Sequence, residues 1–286
     1  MYDKNMPTFE YDKYDIIQKI GEGSFGTVYL VKDRLTSREY ALKQIIIHGN
    51  NKYSISNFKI FFEKLSSLNH ENIVKIYETK LIKNNLNILM ERGIMDWYSE
   101  IELRSQRNYK KYYTELEIFI ILKQLVSGFS FLQENKIAHR DIKPNNILIF
   151  PNGIYKIADL DEGIIMDNNK NQNQAIRGSE LFMSPVLFNR LKGFKDTANY
   201  NSFKSDVFSL GYCFLYAMSL NIDVLKYIRK LKYVDNIKEK LINYFCDELK
   251  YSKRLINIIC DMIEYEEYRR CDFKQLDEKL KKIMVK

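Results

Sequence analysis

His139-Arg140-Asp141-Ile142-Lys143-Pro144-Asn145-Asn146 is the stretch on which the reading turns. Within eight residues it offers a carboxylate, an ammonium two places on and a carboxamide five places on. A carboxylate can accept the proton of a hydroxyl, and a carboxamide oxygen can hold a hard metal ion. Chance occurrence of all these residue types in this register is remote. Downstream, the short β-like runs Ile147-Leu148-Ile149 and Tyr155-Lys156-Ile157 alternate with turn residues and lead to Asp159, thirteen residues after Asn146.

Upstream stands Gly21-Glu22-Gly23-Ser24-Phe25-Gly26-Thr27-Val28. A phosphate needs backbone N–H donors close by, and side chains would block that approach, so glycine recurs in such loops. A dinucleotide-binding glycine motif would lead into a helix. This one leads into Thr27-Val28-Tyr29-Leu30-Val31, a strand pattern; read alone, it also fits a plain hairpin turn. Lys43 follows Val28 by fifteen residues on a third predicted strand, over residues 39–47, where it can point toward a phosphate or be an ordinary surface lysine.

Around these motifs the pattern predicts a hairpin over 14–20 and 27–32, a helix over 58–68, strands over 73–80 and 87–91, and a hinge at 91–95. A long apolar helix follows over 115–135, then a buried helix over 206–220, with helical periodicity to the end. Residues 168–174 form an Asn/Gln/Lys run with no core-forming side chain and read as a mobile loop. The fold class is α+β: a polar arm over 1–13, a small β-rich lobe with one main helix over 14–92, and a larger helical lobe over 93–286.

The chain has 286 residues, 45% of them hydrophobic, and 45 Lys and Arg against 37 Asp and Glu, a formal +8. That length suits one large domain or two lobes. The basic balance favours anionic partners or a solvated basic surface; no specific nucleic-acid binding is expected. Four cysteines without a CxxC pair argue against zinc and against a disulfide framework. No apolar run reaches the roughly 18 residues a membrane span needs, and no signal-peptide pattern opens the chain. A soluble intracellular protein is expected, cytoplasmic with a nuclear location left open. Oligomeric state is not legible.

The octapeptide at 139–146, the glycine run and Asp159 together resemble the eukaryotic protein kinase family, serine/threonine type, over a single domain at 14–283. The resemblance implies a bilobal kinase fold, ATP and Mg2+ as cofactors, and protein substrates bearing Ser or Thr. It implies Asp141 as catalytic base, with Lys143 steadying the γ-phosphate and Lys43 pairing the α- and β-phosphates. Asn146 and Asp159 become metal ligands. Ile20, Gly21, Glu22, Gly23, Ser24, Phe25, Gly26, Val28, Ala41, Met90, Glu91, Gly93 and Leu148 become nucleotide-binding residues, though the aliphatic ones also fit an ordinary core. His139 is also a packed core residue, Ser179 is the substrate-facing hydroxyl, and Arg270 with Leu276 closes the family pattern.

Three departures stand out. Asp161 replaces the glycine of Asp-Phe-Gly, where unusual backbone angles are expected, and adds negative charge near the metal. The helix glutamate that pairs the strand lysine falls on Phe61, and Glu63 lies about 200° around at ~100° per residue. Ala-Pro-Glu appears as Ser184-Pro185-Val186, so Arg270 is expected to lack its carboxylate partner. These departures keep open a second reading, a pseudokinase that binds nucleotide and acts through partners. Between Asp159 and Gly178 no Ser, Thr or Tyr occurs, so no activation-loop phosphate is expected. Residues 104–111 carry Arg104, Arg107, Lys110 and Lys111, which read as a solvated face or an attractor of acidic substrates.

Overall fold

A computed structural model describes residues 13–23, 26–46, 52–82, 85–106, 110–166, 171–230 and 237–284. Ser24, Phe25, residues 1–12 of the arm, Arg107 and residues 168–170 of the predicted loop lie outside them. The chain divides into two compact units: Met1–Asn69 with Val74–Arg92, and His70–Ile73 with Gly93–Lys286.

The smaller unit is an antiparallel sheet of β1 (Tyr14–Glu22), β2 (Gly26–Asp33), β3 (Glu39–Ile46), β4 (Ile76–Ile82) and β5 (Asn85–Met90), in the order β1-β2-β3-β5-β4. Helix α1 (Lys52–Ser67) packs against β4 and begins six residues before the predicted start. Residues 73–75, predicted as strand, precede β4; Ile73 instead bridges Ile157 in parallel. Because strand side chains alternate, one face of the sheet buries Tyr14, Val31, Leu42 and Leu89, with Tyr29 and Tyr40 packed on them.

The larger unit opens with β6 (Met95–Asp96), α2 (Trp97–Ser105) and α3 (Glu115–Glu134). A reciprocal capping box starts α3: the Glu117 N–H donates to Thr114 Oγ1, and the Thr114 N–H donates to Glu117. Strands β7 (Ile137–Ala138), β8 (Ile147–Phe150), β9 (Ile154–Ile157) and β10 (Ile164–Ile165) follow. Then come β11 (Gln172–Ala175), α4 (Pro185–Lys192) and β12 (Thr197–Tyr200). Helix α5 (Ser202–Ser219) is buried on nearly all sides, as a central helix of an all-round core must be. It is followed by α6 (Asp223–Lys230), α7 (Ile237–Ile242) continuing into a π-helical turn (Asn243–Glu248), α8 (Lys253–Met262) and α9 (Phe273–Met284).

Three expectations change. The polar run read as a loop is a strand at residues 172–174, because β11 pairs antiparallel with β12 in the register Gln172↔Tyr200 to Ala175↔Thr197. Backbone hydrogen bonding, which composition does not report, is what makes it one. Arg104 belongs to no solvated face: it pairs Glu117 at 2.8 Å and Glu100 at 3.0 Å and lies over the Tyr113 ring at 3.8 Å.

Arg270, expected to lack a partner, is buried at 1% exposure and fully engaged. Its Nε donates to the Glu264 carbonyl at 2.8 Å, Nη1 to that of Lys204 at 3.1 Å and Nη2 to those of Glu264 and Tyr265. The guanidinium also stacks over Phe208 at 4.9 Å. Main-chain oxygens thus take the place of the missing carboxylate, while Val186 packs on the apolar cluster of Met183, Leu187, Ala198 and Tyr200. Truncation to Arg270→Ala strands these buried carbonyls and should cost about 3 kcal/mol, read as a lowered denaturant midpoint in equilibrium unfolding.

Candidate functional site

In the smaller unit, register alone assembles one face of the sheet. Gly21 pairs Val28, Val28 pairs Lys43, Leu30 pairs Ala41, and Ala41 pairs Met90. Paired residues share a face, so Gly21, Val28, Ala41, Lys43 and Met90 stand together opposite the tyrosine-rich cluster. Lys43 is only 8% exposed. Glu22 pairs Thr27, and Ile20 sits at a register shift and is exposed. Glu91 is tied to Lys75 by main-chain pairing and by its carboxylate, 2.6 Å from the Lys75 N–H.

The three glycines of the turn have different causes. A Cβ on Gly26 would fall 1.9 Å from the Gln44 carbonyl oxygen of β3, so the fold itself demands glycine there. A Cβ on Gly21 would meet nothing nearer than 3.6 Å, and one on Gly23 nothing within 4 Å. The packing does not require glycine at those two positions, and the open space above them leaves the backbone accessible.

In α1, Phe61 and Phe62 are buried, and half-exposed Glu63 pairs with Lys59 at 3.6 Å.

In the larger unit, Gly93 lies against Leu148: a Cβ on Gly93 would come 3.0 Å from the Leu148 Cβ. The β6–β8 ladder, with Met95 opposite Ile149, holds them there. The site residues of the octapeptide are placed by α5. Asp206, 3% exposed, accepts the N–H of His139 at 2.8 Å and of Arg140 at 2.9 Å. His139 takes the Asp141 N–H on Nδ1 at 3.3 Å, which puts its ring hydrogen on Nε2, 2.9 Å from the Ala158 carbonyl.

Asp141 is the hub. Its Oδ1 accepts the Ser179 N–H at 2.7 Å and the Ser179 hydroxyl at 2.9 Å. Its Oδ2 takes the Lys143 ammonium at 2.8 Å and the Asn146 amide at 3.1 Å. Lys143 also donates to Ser179 Oγ at 3.0 Å. Burial works to raise the Asp141 carboxyl, but Lys143, Ser179 and His139 outweigh it and hold it below the usual carboxylate range.

Asn146 and Asp159 flank one hairpin. Strands β8 and β9 pair Ile147 with Ile157, and the Ala158 N–H extends the ladder to the Asn146 carbonyl at 2.9 Å. Asn146 donates its amide to the Asp141 carbonyl at 2.8 Å as well as to the carboxylate. With the amide hydrogens engaged, its oxygen is the atom suited to a hard cation. Asp159 sits at φ 58, a left-handed conformation that asymmetric side chains reach at a cost. Asp161, expected to carry the unusual angle, does not: it is absent from the positive-φ residues and occupies a tight turn closed by the Gly163 N–H on the Leu160 carbonyl at 2.9 Å. The positive φ is at the candidate metal ligand instead. Among the described residues no cluster of three His, Cys, Asp or Glu forms a metal cage. Magnesium held by one or two carboxylates plus phosphates needs none, so the donor set fits it.

Sequence reasoning missed how the segment after Asp159 is pinned. Arg140 Nη2 donates to the Ala175 carbonyl at 2.8 Å, Arg177 pairs Glu162 at 3.5 Å, and β11 is laddered to β12. Gly178, at φ +104, lets the chain pass the Arg140 carbonyl, which a Cβ would approach to 2.5 Å. No local sequence signal announces the β11–β12 pairing.

A protein kinase domain family model matches residues 14–280. The chain is 32% identical over 212 residues to a probable serine/threonine-protein kinase nek3 of Dictyostelium discoideum, covering 73% of this chain and 18% of that one. It is 31% identical over 246 residues to calcium-dependent protein kinase 4 of Plasmodium berghei, 82% of this chain and 44% of that one. It is also 31% identical over 176 residues to the serine/threonine-protein kinase TIO of Arabidopsis thaliana, 62% and 13% respectively. The chain spans less than half the length of each.

Burial raises the Asp206 carboxyl to about 6, with His139 and the His139 and Arg140 N–H groups opposing it. The folded form then holds a proton that the unfolded chain releases near 3.8, so Asp206 stabilises most at low pH and less as pH rises through about 6. The gap in thermal midpoint between the parent and Asp206→Asn should therefore shrink from pH 4 to pH 7; a gap that widens over this range contradicts it.

Proposed function

Because the chain belongs to the protein kinase family, of serine/threonine type, we propose that it transfers the γ-phosphate of ATP to Ser or Thr hydroxyls of protein substrates. The kinase domain is read over 14–283, with lobes at 14–92 and 93–286. The observation that carries the reading is the hydrogen-bonded cluster of Asp141, Lys143, Asn146 and Ser179. No helix among the described residues is long and apolar enough to cross a membrane.

Asp141, held ionised, orients the incoming hydroxyl and accepts its proton as the new bond to phosphorus forms. Lys143 offers its ammonium to the transferring phosphoryl group, and Lys43 offers its own to the α- and β-phosphates. The turn at Gly21 and Gly23 lets backbone N–H groups approach the phosphates, while Val28, Ala41, Met90 and Leu148 offer apolar surface to the base. Asn146 and Asp159 would hold magnesium, which when bound neutralises charge on the phosphates. Ser179 keeps Asp141 in its rotamer. Positioning and electrostatics of this kind supply most of the rate in phosphoryl transfer.

A second reading, a nucleotide-binding pseudokinase, draws on Phe61 and on Glu63, which pairs elsewhere. Labelled ATP with magnesium separates them. An active enzyme labels Ser or Thr in a generic protein substrate, and Asp141→Asn lowers turnover by roughly 10²-fold or more. Nucleotide-induced thermal stabilisation with no label transferred sinks the enzyme reading and supports the other.

Regulation follows from the loop's composition. The segment is pinned by Arg140 on a carbonyl rather than left to await a phosphate. Protein purified in active form should show no phosphate between residues 160 and 177, and phosphatase treatment should leave turnover unchanged. Mass-spectrometric detection of an essential phosphate there ends this reading.

A further inference from the structure

The larger unit contains a cavity of about 160 Å3 bounded by α4, α5, α6, α7 and α8. Its walls are largely apolar, including Phe188, Phe208, Tyr212, Ile228 and Ile263. An engineered apolar cavity of about 150 Å3 takes up benzene, so the space suits one ring.

The charges around it are unusual. Phe208 and Tyr212 stack at 4.5 Å, with Arg270 over Phe208 at 4.9 Å and Arg229 over Tyr212 at 5.1 Å. Arg229, a lining residue, also lies 4.3 Å from the Phe188 ring centroid. Its Nη2 donates to the Leu181 and Met183 carbonyls at 2.7 and 2.8 Å, but its buried Nε–H has no acceptor. Arg270 is bonded to carbonyls alone. Among the described residues neither guanidinium forms an ion pair with a carboxylate. Burial lowers both arginines, to about 10 for Arg270, with Glu180 opposing it at Arg229 and Glu267, Glu264 and Glu266 opposing it at Arg270.

The carboxylates nearby are engaged. Asp261, on the lining, pairs with Lys279; Glu264 accepts the Glu266 N–H at 3.2 Å; Glu180 pairs with Lys192 at 2.6 Å. Lys238 adds a further cation at the lining.

We propose that this cavity is a binding site for a small amphipathic carboxylate, its apolar part among the aromatic and isoleucine walls and its charge held by the Arg229 guanidinium. A ring or short acyl chain fills the volume, and the carboxylate supplies an acceptor to half-buried Arg229, whose buried Nε–H has none among the described residues. The site is separate from the phosphate-transfer reading. Arg229 nevertheless holds the carbonyls of Leu181 and Met183, just after Ser179, so an occupant bonded to Arg229 is linked through it to the segment that contacts Asp141.

Benzoate is the probe and benzamide its neutral counterpart, titrated into methyl-labelled full chain and followed by NMR at Ile228 and Ile263. Benzoate should shift both methyls saturably and bind about tenfold more tightly than benzamide. Arg229→Gln should bring benzoate down to the benzamide level. Asp141→Asn protein should bind benzoate as the parent does, so failure of transfer and failure of this site are distinguishable. Absence of saturable shifts at these methyls overturns the proposal, as does equal binding of the two probes or benzoate binding unchanged in Arg229→Gln. Should that variant not fold, the comparison of benzoate with benzamide in the parent chain decides alone.

Discussion

A single buried carboxylate, that of Asp206, receives the main-chain N–H groups of His139 and Arg140 and so tethers the octapeptide to the central helix α5. Burying a charge away from water is costly unless hydrogen bonds meet it, and here two do. Arg140 stands at φ 69, a costly conformation whose N–H the Asp206 carboxylate holds. From that anchor the rest follows: His139 reaches Ala158, Asp141 reaches Ser179, Lys143 and Asn146, and the β8–β9 hairpin sets Asn146 beside Asp159. α5 carries this load because it is enclosed on nearly every side, and its polar groups are satisfied: Ser205 bonds Ser184 at 2.7 Å, and Ser202 bonds Gln174 at 3.0 Å.

The smaller unit works by a simpler rule. Strand alternation separates a tyrosine-rich core face from the face bearing Gly21, Val28, Ala41, Lys43 and Met90. One slipped residue would exchange the two faces, so the register decides which side chains are buried in the core. Gly26 helps fix it, since its missing side chain allows β2 to pass the Gln44 carbonyl.

The departures from the family pattern are absorbed by neighbouring atoms. Arg270 exchanges a carboxylate for main-chain carbonyls and an aromatic face, Ser184 turns its hydroxyl to Ser205, and Asp161 settles into a tight turn while Asp159 takes the left-handed angle. Phe61, on which the sequence pattern places the family glutamate, is buried in the smaller unit.

The family, the α+β class and the residues of the octapeptide were legible in the sequence, because motif spacing and apolar period are local properties of the chain. The long helix α3 and buried helix α5 could be read for the same reason; the early start of α1 could not, since its first turns have no apolar period to mark them. The pairing of β11 with β12, the carbonyl cage of Arg270 and the pairing of half-buried Arg104 with two glutamates were settled only by tertiary structure. Each runs through backbone groups or partly desolvated charges, and neither backbone pairing nor desolvation leaves a mark on composition or period.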